Sequence, residues 1–265
     1  YPNAQLGDER TVIEGVQNGS IDATACTTAP TSNFQPLTKI MDLPYLFNSL
    51  EQARKVSGSE TGTKILKSMS EVRIKGLAFT ENGFRFILNN KREVKTPADL
   101  KGLKLRVMQS PVYMSFYSAI NSNSIPLAFG EVYTAVSQGA VDGFDLPMPV
   151  VLSSKLYEVT KYMSDARYTY TSIMIIMNEK KFNTYSKRTQ EILIEAAQHA
   201  RKINFATNDK VMASGYDFLK NKIKITPFQE IDFKAFRAVS KQVWDKHADT
   251  PKAQEILKEI VRMTE

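Results

Sequence analysis

The sequence is poor in the residues that mark disulfide-stapled, metal-binding and membrane-spanning proteins. It has one cysteine, Cys26, and two histidines among 265 residues, so an internal disulfide framework is excluded. No run approaches the roughly 20 apolar residues of a membrane helix, and the longest candidate, Ile173–Met177, has the length of a strand. Hydrophobic residues make up 42% and charged residues 24%, which excludes a disordered chain and, at this length, predicts a globular protein with two lobes.

Motifs for catalysis, metal binding and nucleotide binding are also missing from the sequence. There is no zinc or EF-hand spacing, no G-x-S-x-G, no Walker loop and no G-x-G-x-x-G. Cys26 is expected to be buried as a small hydrophobic residue, and His199 and His247 are expected at the surface. The sequence therefore predicts no catalytic residues, no metal site and no cofactor, which favours capture of a ligand between two lobes.

The charge is positive without being concentrated. Lys and Arg number 35 against 28 Asp and Glu, which gives a formal charge of +7. The basic residues are dispersed among acidic ones, which is typical of a solvated surface. Attraction of an anionic small ligand is a second, compatible interpretation. Nucleic-acid binding is not predicted, because no RNA-binding signature or dense arginine tract is present.

A helix, a glycine turn and a strand that opens with aspartate occur twice in the sequence. Residues 8–18 predict a helix that is capped by Asp8 and stopped by Gly19, and residues 21–26 predict a buried strand. The phrase Val12-x-x-x-Val16-x-x-Gly19-x-Ile21-Asp22 returns 120 residues later as Val132-x-x-x-Val136-x-x-Gly139-x-Val141-Asp142. Two lobes built on similar α/β units explain this repeat.

The remaining pattern predicts alternating strands and helices. Helices are predicted over 49–70 with a break near Gly58, from 96, over 110–120, 186–221, 233–247 and 252–263, and strands over 74–89, 103–107, 172–177 and 223–228. The helix over 186–221 would be about 50 Å long and could lie across both lobes. A kink near Gly215 is the alternative.

Two arginines lie where a ligand carboxylate could be bound. Arg106 ends a predicted strand and Gln109 precedes the next helix, and ligands of open α/β sheets bind at the carboxyl ends of strands. Arg85 has a comparable position after Gly83. Arginine can hold a carboxylate through two parallel hydrogen bonds, although a surface ion pair is the alternative for each. Several aromatic residues could line a pocket, with the core as the default location: Tyr113, Phe129, Phe144, Tyr168 and Tyr170.

Several motifs resemble those of TRAP-type (tripartite ATP-independent periplasmic) transporter substrate-binding proteins of the DctP-like family. The motifs span essentially the whole chain in the family's order, as residues 43–47 (LPYLF), 81–85 (ENGFR), 96–107 (TPADLKGLKLRV), 126–133 (PLAFGEVY), 141–143 (VDG) and 155–159 (KLYEV). The resemblance implies an α/β protein with the type II periplasmic binding-protein fold, in which two α/β lobes are joined by hinge strands and a long spanning helix. The expected lobes are 1–83 plus 172–211 and 84–171 plus 212–265.

The same resemblance implies a function without catalysis. The protein would be a periplasmic receptor that captures a small organic acid and delivers it to the TRAP membrane permease subunits, with no nucleic-acid partner. An α/β enzyme acting on a small carboxylic acid and a ligand-sensing domain are the alternatives. Members of the family begin with a strand and a helix before the segment that starts at Tyr1-Pro2-Asn3. Together with the export signal, these are absent here, so we expect a truncated or processed chain.

The resemblance also assigns the site. Arg106 is implied to pair with the ligand carboxylate, with Arg85 as the second arginine, Gln109 at a polar position and Phe129 packed on the ligand. Asp145 and Tyr168 complete the expected set.

The chain departs from the family pattern where Leu146 replaces an asparagine and Phe144 a glutamine. Because this substitution removes a hydrogen-bond donor, we expect a relatively apolar 2-oxo or 2-hydroxy monocarboxylate in place of a sialic or sugar acid. Asn82, Gln109 or a water could supply the missing donor.

Overall fold

The structure, a computed structural model, describes Tyr1 and residues 4–265. Pro2 and Asn3, named above at the start of the chain, lie outside the described residues. The helices are α1 Glu9–Asn18, α2 Thr28–Thr31, α3 Leu50–Ser57, α4 Glu60–Ser68, α5 Pro111–Ala119, α6 Val132–Ser137, α7 Met148–Ser153, α8 Glu179–Thr184, α9 Lys187–Leu219, α10 Phe233–His247 and α11 Pro251–Thr264. The strands are β1 Ala23–Thr27, β2 Ile74–Asn89, β3 Lys104–Val107, β4 Asn123–Pro126, β5 Gly143–Pro147, β6 Tyr162–Ser164, β7 Tyr170–Asn178 and β8 Lys224–Thr226.

The strands form an open, mixed sheet in which β2 connects the two ends. The order is β1-β7-β2-β5-β3-β4, with β6 beside β2 and β8 beside β6. The first part of β2, Ile74–Phe84, pairs antiparallel with β7, and its last part, Arg85–Asn89, pairs antiparallel with β5. The register shifts between Glu81 and Gly83, so β2 changes partners next to an irregular point, as expected of a hinge strand.

The sequence repeat corresponds to a structural repeat. The strands β1 and β5 have the same length and lie 120 residues apart at both ends. Gly19 and Gly139 both adopt the left-handed backbone conformation, with φ of 88° and 72°, which glycine adopts without a steric penalty. In each turn the second residue after the glycine donates its N–H to the helix, Ile21 to the Gly15 carbonyl at 3.0 Å and Val141 to the Ala135 carbonyl at 3.2 Å. The predicted α/β unit is therefore present twice.

The long helix is confirmed and extends across the molecule. α9 has 33 residues and continues through Gly215, where the sequence left a kink open. Ala197 packs with Leu77 and Phe182, whereas Leu219, near the other end, packs in the cluster around β5. A Cβ atom at Gly215 would lie 2.7 Å from Leu152, so the glycine permits close contact with α7. Because α9 packs with the cluster around Leu77 and with the cluster around β5, it bridges the two halves of the fold.

Other elements differ from the sequence predictions in their bounds. The first predicted strand begins at Ala23 rather than 21, and β8 ends at Thr226 rather than 228. The helix predicted from residue 96 is a single 3₁₀ turn, Pro97–Leu100. α11 packs against α3 and α4. The lobe boundaries expected from the resemblance, 1–83 plus 172–211 and 84–171 plus 212–265, stay a prediction. No helix of the described chain has both the length and the hydropathy of a membrane span.

The expectation for His247 is wrong, because this histidine is buried on α10. Only 5% of it is exposed, and its Nε2 lies 2.9 Å from Ser115 Oγ on α5. Contacts between α10 and α5 link residues far apart in sequence, so the charged neighbours of His247 along the chain gave no sign of this packing. His199 is exposed, as expected.

We expect His247 to make the protein less stable as the pH falls. Burial, reinforced by Lys39 and Lys246, lowers the pKa of His247 from 6.5 to about 4. The unfolded chain therefore takes up this proton at a higher pH than the folded protein does. The contribution of neutral His247 to the free energy of unfolding is fully present above pH 6.5 and is lost as the pH falls toward 4, by up to about 3 kcal/mol. Chemical denaturation between pH 7 and 4 measures the free energy of unfolding at each pH. A His247→Gln variant should lose this part of the pH dependence and a His199→Gln control should keep it. The same pH dependence in both variants would contradict the assignment.

Candidate ligand-binding site

A cavity of about 220 Å³, which we call the cleft pocket, lies where the ends of β1, β3 and β5 meet β2. Its lining residues are Glu9, Thr27, Asn82, Arg85, Arg106, Met108, Phe129, Leu146, Pro147, Val150 and Thr171. It adjoins an outer cavity of about 610 Å³, which shares Glu9, Arg106, Met108 and Phe129 and also includes Gln109. Two arginines and one glutamate thus face a wall that is otherwise mainly apolar.

Arg106 is a buried cation with unused hydrogen-bonding capacity. It lies on β3 with 2% of its surface exposed. Its Nε and Nη2 both donate to the Leu127 carbonyl, at 2.9 and 2.7 Å. Its Nη1 has no hydrogen-bond partner within the described chain. Burial, followed by the positive charge of Arg85, lowers the pKa of Arg106 to about 10. An anion bound to Nη1 would supply the missing hydrogen-bond acceptor and would offset the lowering of the Arg106 pKa by burial and by Arg85.

Arg85 is, by contrast, already paired with a carboxylate. It lies on β2 with 1% of its surface exposed, and its Nη2 is 2.9 Å from Asp145 Oδ1 and also donates to the Asp145 carbonyl. Its Nη1 donates to Thr171 Oγ1 at 3.2 Å, and the guanidinium lies 5.0 Å from the centre of the Tyr113 ring. Burial and these partners fix Arg85 at the edge of the pocket.

Glu9 contributes a carboxylate that the sequence analysis did not assign to the site. It is the first residue of α1, and its two oxygens accept from the Thr27 backbone N at 2.7 Å and from Thr27 Oγ1 at 3.1 Å. Burial raises the pKa of Glu9 despite these donors and despite Arg106 and Arg85. In the sequence Glu9 has the pattern of an ordinary acidic residue in the first turn of a helix, so no local signal distinguishes it. Thr27 could have been found from the repeat, because it ends β1 as Pro147 ends β5, and both residues line the cleft pocket.

The predicted residues divide into a group that lines the cavities and a group behind them. Arg106, Arg85, Phe129 and Leu146 line the cleft pocket, and Gln109 lines only the outer cavity. Phe129 is 43% exposed and lies between the two cavities, whereas Leu146 is 4% exposed.

Phe144, Asp145 and Tyr168 are fully buried and line neither cavity. For Phe144 and Tyr168 this is the default location in the core, and their contact with a ligand, like that of Asp145, stays a prediction. Phe144 packs in the core cluster with Leu88, and Asp145 is turned toward Arg85 and receives the Tyr168 hydroxyl. Since β-strand side chains alternate in direction, Asp145 faces away from its neighbour Leu146. Asp145 and Tyr168 hold Arg85 in place.

Other reactive groups lie outside the site or are inert. Cys26 is buried, and burial raises the pKa of its thiol to about 12, as expected of a small hydrophobic residue. Within the described ranges, no three His, Cys, Asp or Glu side chains are placed to hold a metal ion. Arg85 and Arg106 are the cationic side chains that line the cleft pocket.

Comparisons with known proteins agree with this geometry. The family model DctP, "Bacterial extracellular solute-binding protein, family 7", matches residues 1–250. A solute-binding protein of Verminephrobacter eiseniae is 39% identical over 90% of this chain and 71% of its own length.

Two solved TRAP periplasmic solute-binding proteins have the same fold. The protein from Polaromonas sp. JS666, bound to D-erythronate, has a TM-score of 0.94 at 34% identity and covers 98% of this chain and 86% of its own. The protein from Bordetella bronchiseptica, with density assigned to pantoate, has a TM-score of 0.90 at 34% identity and covers 96% and 85%. The predicted fold class is thereby confirmed. The chain belongs to the DctP family of bacterial extracellular solute-binding proteins and is a solute-binding protein of the TRAP type.

Proposed function

We propose that this protein captures a small organic acid in the cleft pocket, with the ligand carboxylate bound to Arg106. The observation that carries the proposal is the buried Arg106 Nη1, which has no partner among the described residues. Leaving a buried charged group without a partner is costly. A carboxylate provides both the missing hydrogen-bond acceptor and the missing negative charge.

The charges of the site favour an acid with one carboxylate. Asp145 already balances Arg85, so Arg106 is the cation that the ligand has to compensate. Glu9 lines the same pocket, and its oxygens would repel a second ligand carboxylate placed beside it. A dicarboxylate would therefore bind less well than a monocarboxylate of similar size.

The lining favours a compact acid with an apolar body and a polar group next to the carboxylate. Leu146, Pro147 and Val150 form an apolar side, while Glu9, Thr27 and Asn82 offer polar atoms. The volume of about 220 Å³ equals the share of roughly seven liquid water molecules. A 2-hydroxy or 2-oxo monocarboxylate fits this description. D-erythronate and pantoate, assigned to the two solved relatives, are both 2-hydroxy monocarboxylates.

Membership of the family supports a role of this capture in transport. Its members are extracellular solute-binding proteins, so we propose that this protein acts in the periplasm and passes its ligand to the membrane subunits of a TRAP transporter. Closure of the two halves about β2 would shield the ligand from water, since β2 changes sheet partners beside the pocket. A family of binding receptors does not favour an enzymatic activity.

A panel of carboxylic acids tests the proposed function. Thermal shift and calorimetric titration are recorded with pantoate, D-erythronate, branched 2-oxo acids, C4-dicarboxylates and galacturonate, and the bound acid is then recovered and analysed. We expect stabilisation by pantoate, D-erythronate or a branched 2-oxo acid, recovered unchanged. Stabilisation by galacturonate or C4-dicarboxylates alone would contradict the proposed ligand class, and stabilisation by none of the acids, or conversion of the bound acid into a product, would contradict the proposed function.

Replacing Leu146 by asparagine should shift the preference toward more polar acids. Leu146 is 4% exposed and lines the cleft pocket, so Leu146→Asn exchanges apolar surface for a hydrogen-bonding amide. We expect the affinity ratio of D-erythronate to pantoate to rise by about tenfold or more. Calorimetric titration measures both affinities, and Leu146→Met, which keeps the wall apolar, is the matched control. An unchanged ratio in Leu146→Asn would mean that Leu146 does not contact the ligand.

A further inference from the structure

Two consecutive threonines connect a carboxylate in the cleft pocket with a second carboxylate behind it. Thr27, at the end of β1, donates to Glu9. Thr28, the first residue of α2, donates its hydroxyl to Asp42 Oδ1 at 2.6 Å. Glu9 lines the pocket, whereas Asp42 is fully buried and lines neither of the two cavities described above. Asp42 is therefore an acid close to the ligand site that has no contact with solvent.

Asp42 has no direct counter-ion among the described residues. Its Oδ2 lacks a hydrogen-bond partner there, as does the hydroxyl of Tyr113 on α5. The charged and titratable groups that act on its ionisation are Arg85 of β2, Glu9 of α1 and Tyr113, while Thr28 supplies its hydrogen bond. Burial, with a smaller contribution from Glu9, raises the pKa of Asp42 to about 7, against the opposing effects of Thr28, Arg85 and Tyr113. Its ionised form thus depends partly on the positive charge of Arg85.

A bound carboxylate changes this balance. Arg85 and Arg106 both line the cleft pocket, and a ligand anion placed against them adds one negative charge to a region of low dielectric. The anion offsets the positive potential that favours ionised Asp42, and it repels that carboxylate directly. We propose that capture of a carboxylate anion is coupled to protonation of Asp42. This coupling rests on the proposed function of the cleft pocket. The protonated Oδ2 can then donate a hydrogen bond, which the ionised form cannot.

The coupling has a definite sign. Protonated Asp42 repels the ligand less than ionised Asp42 does, so the affinity for the acid increases as the pH falls through the neutral range, and binding takes up protons. For a rise of about one pKa unit on binding, the uptake is about half a proton at pH 7.5, and the affinity is about eightfold higher at pH 6 than at pH 9.

Calorimetry in buffers of different ionisation enthalpy counts these protons. Pantoate and D-erythronate are titrated into the native protein at pH 6, 7.5 and 9, and into Asp42→Asn, Glu9→Gln and Asp217→Asn, whose aspartate on α9 has 72% of its side chain exposed. We expect proton uptake in the native protein, Glu9→Gln and the surface control Asp217→Asn, and its loss in Asp42→Asn. Asparagine keeps an oxygen that can accept from Thr28. If Asp42→Asn does not fold, the proton count of the native protein and Glu9→Gln carries the test.

The outcomes separate this inference from the proposed function. Binding with no proton uptake by the native protein, uptake that survives in Asp42→Asn, or uptake that disappears in Glu9→Gln at all three pH values would overturn the role of Asp42 while leaving the carboxylate receptor intact. If none of the acids in the panel gives a heat of binding, the proposed function is overturned, and this inference with it.

Discussion

Replacing Arg106 by alanine should reduce the affinity for the captured acid by about 30- to 5,000-fold, which corresponds to the 2–5 kcal/mol lost when one partner of a buried, hydrogen-bonded charge pair is removed. The side chain is 2% exposed, and its Nη1 is free of any partner in the described chain. Alanine removes both the charge and the donor. Arg106→Lys should have an intermediate effect, because lysine keeps the charge but loses the planar arrangement of donors.

Calorimetric titration of the native protein and both variants measures this effect. Arg188→Ala is the matched control, because Arg188 lies on α9 with 71% of its side chain exposed and should leave the affinity unchanged. An Arg106→Ala variant that binds within a factor of three of the native protein would show that the carboxylate is held elsewhere.

Replacing Asp145 by asparagine should destabilise the folded protein by about 3–5 kcal/mol. The Arg85–Asp145 pair is buried on both sides, with 1% and 0% of the side chains exposed. Asparagine has nearly the same shape as aspartate but leaves the buried charge of Arg85 without its directly paired carboxylate. The free energy of unfolding, measured by chemical denaturation, should fall accordingly.

Two further variants separate charge from shape in this prediction. Glu191→Gln breaks the exposed Arg188–Glu191 pair and should change the free energy of unfolding by less than about 1 kcal/mol. The double variant Arg85→Leu/Asp145→Leu removes both charges and should recover part of the stability that Asp145→Asn loses. If Asp145→Asn were no less stable than Glu191→Gln, the buried pair would not be what holds Arg85.

Features that depend on neighbours along the chain could be predicted from the sequence. The start of α1 follows from Asp8, whose side chain accepts the Thr11 N–H as a helix cap does, and its end follows from Gly19 in the left-handed conformation. The repeat located β1 and β5 for the same reason, since each turn is closed by local backbone hydrogen bonds. Arg106 could be placed at the site because it lies one residue before the end of a strand of an α/β sheet and belongs to a family motif.

Features that depend on contacts between distant segments could not be predicted in this way. The bond from Thr27 to Glu9 joins α1 to β1, and the pair of Arg85 with Asp145 joins residues 60 positions apart. The family resemblance suggested that Phe144 and Asp145 contact the ligand, while the residue pattern left the core as the default location for Phe144. Their orientation is set by how β5 pairs with β2, which no local pattern records. The burial of His247 against α5 has the same origin.

A crystal structure of the protein with a bound monocarboxylate, with pantoate as the first choice, tests the central claim most directly. We expect the carboxylate to lie in the cleft pocket within hydrogen-bonding distance of Arg106 Nη1, with its apolar part against Leu146 and Arg85 still paired with Asp145. A carboxylate bound outside the cleft pocket, or one inside it that leaves Arg106 Nη1 without a partner, would contradict the account.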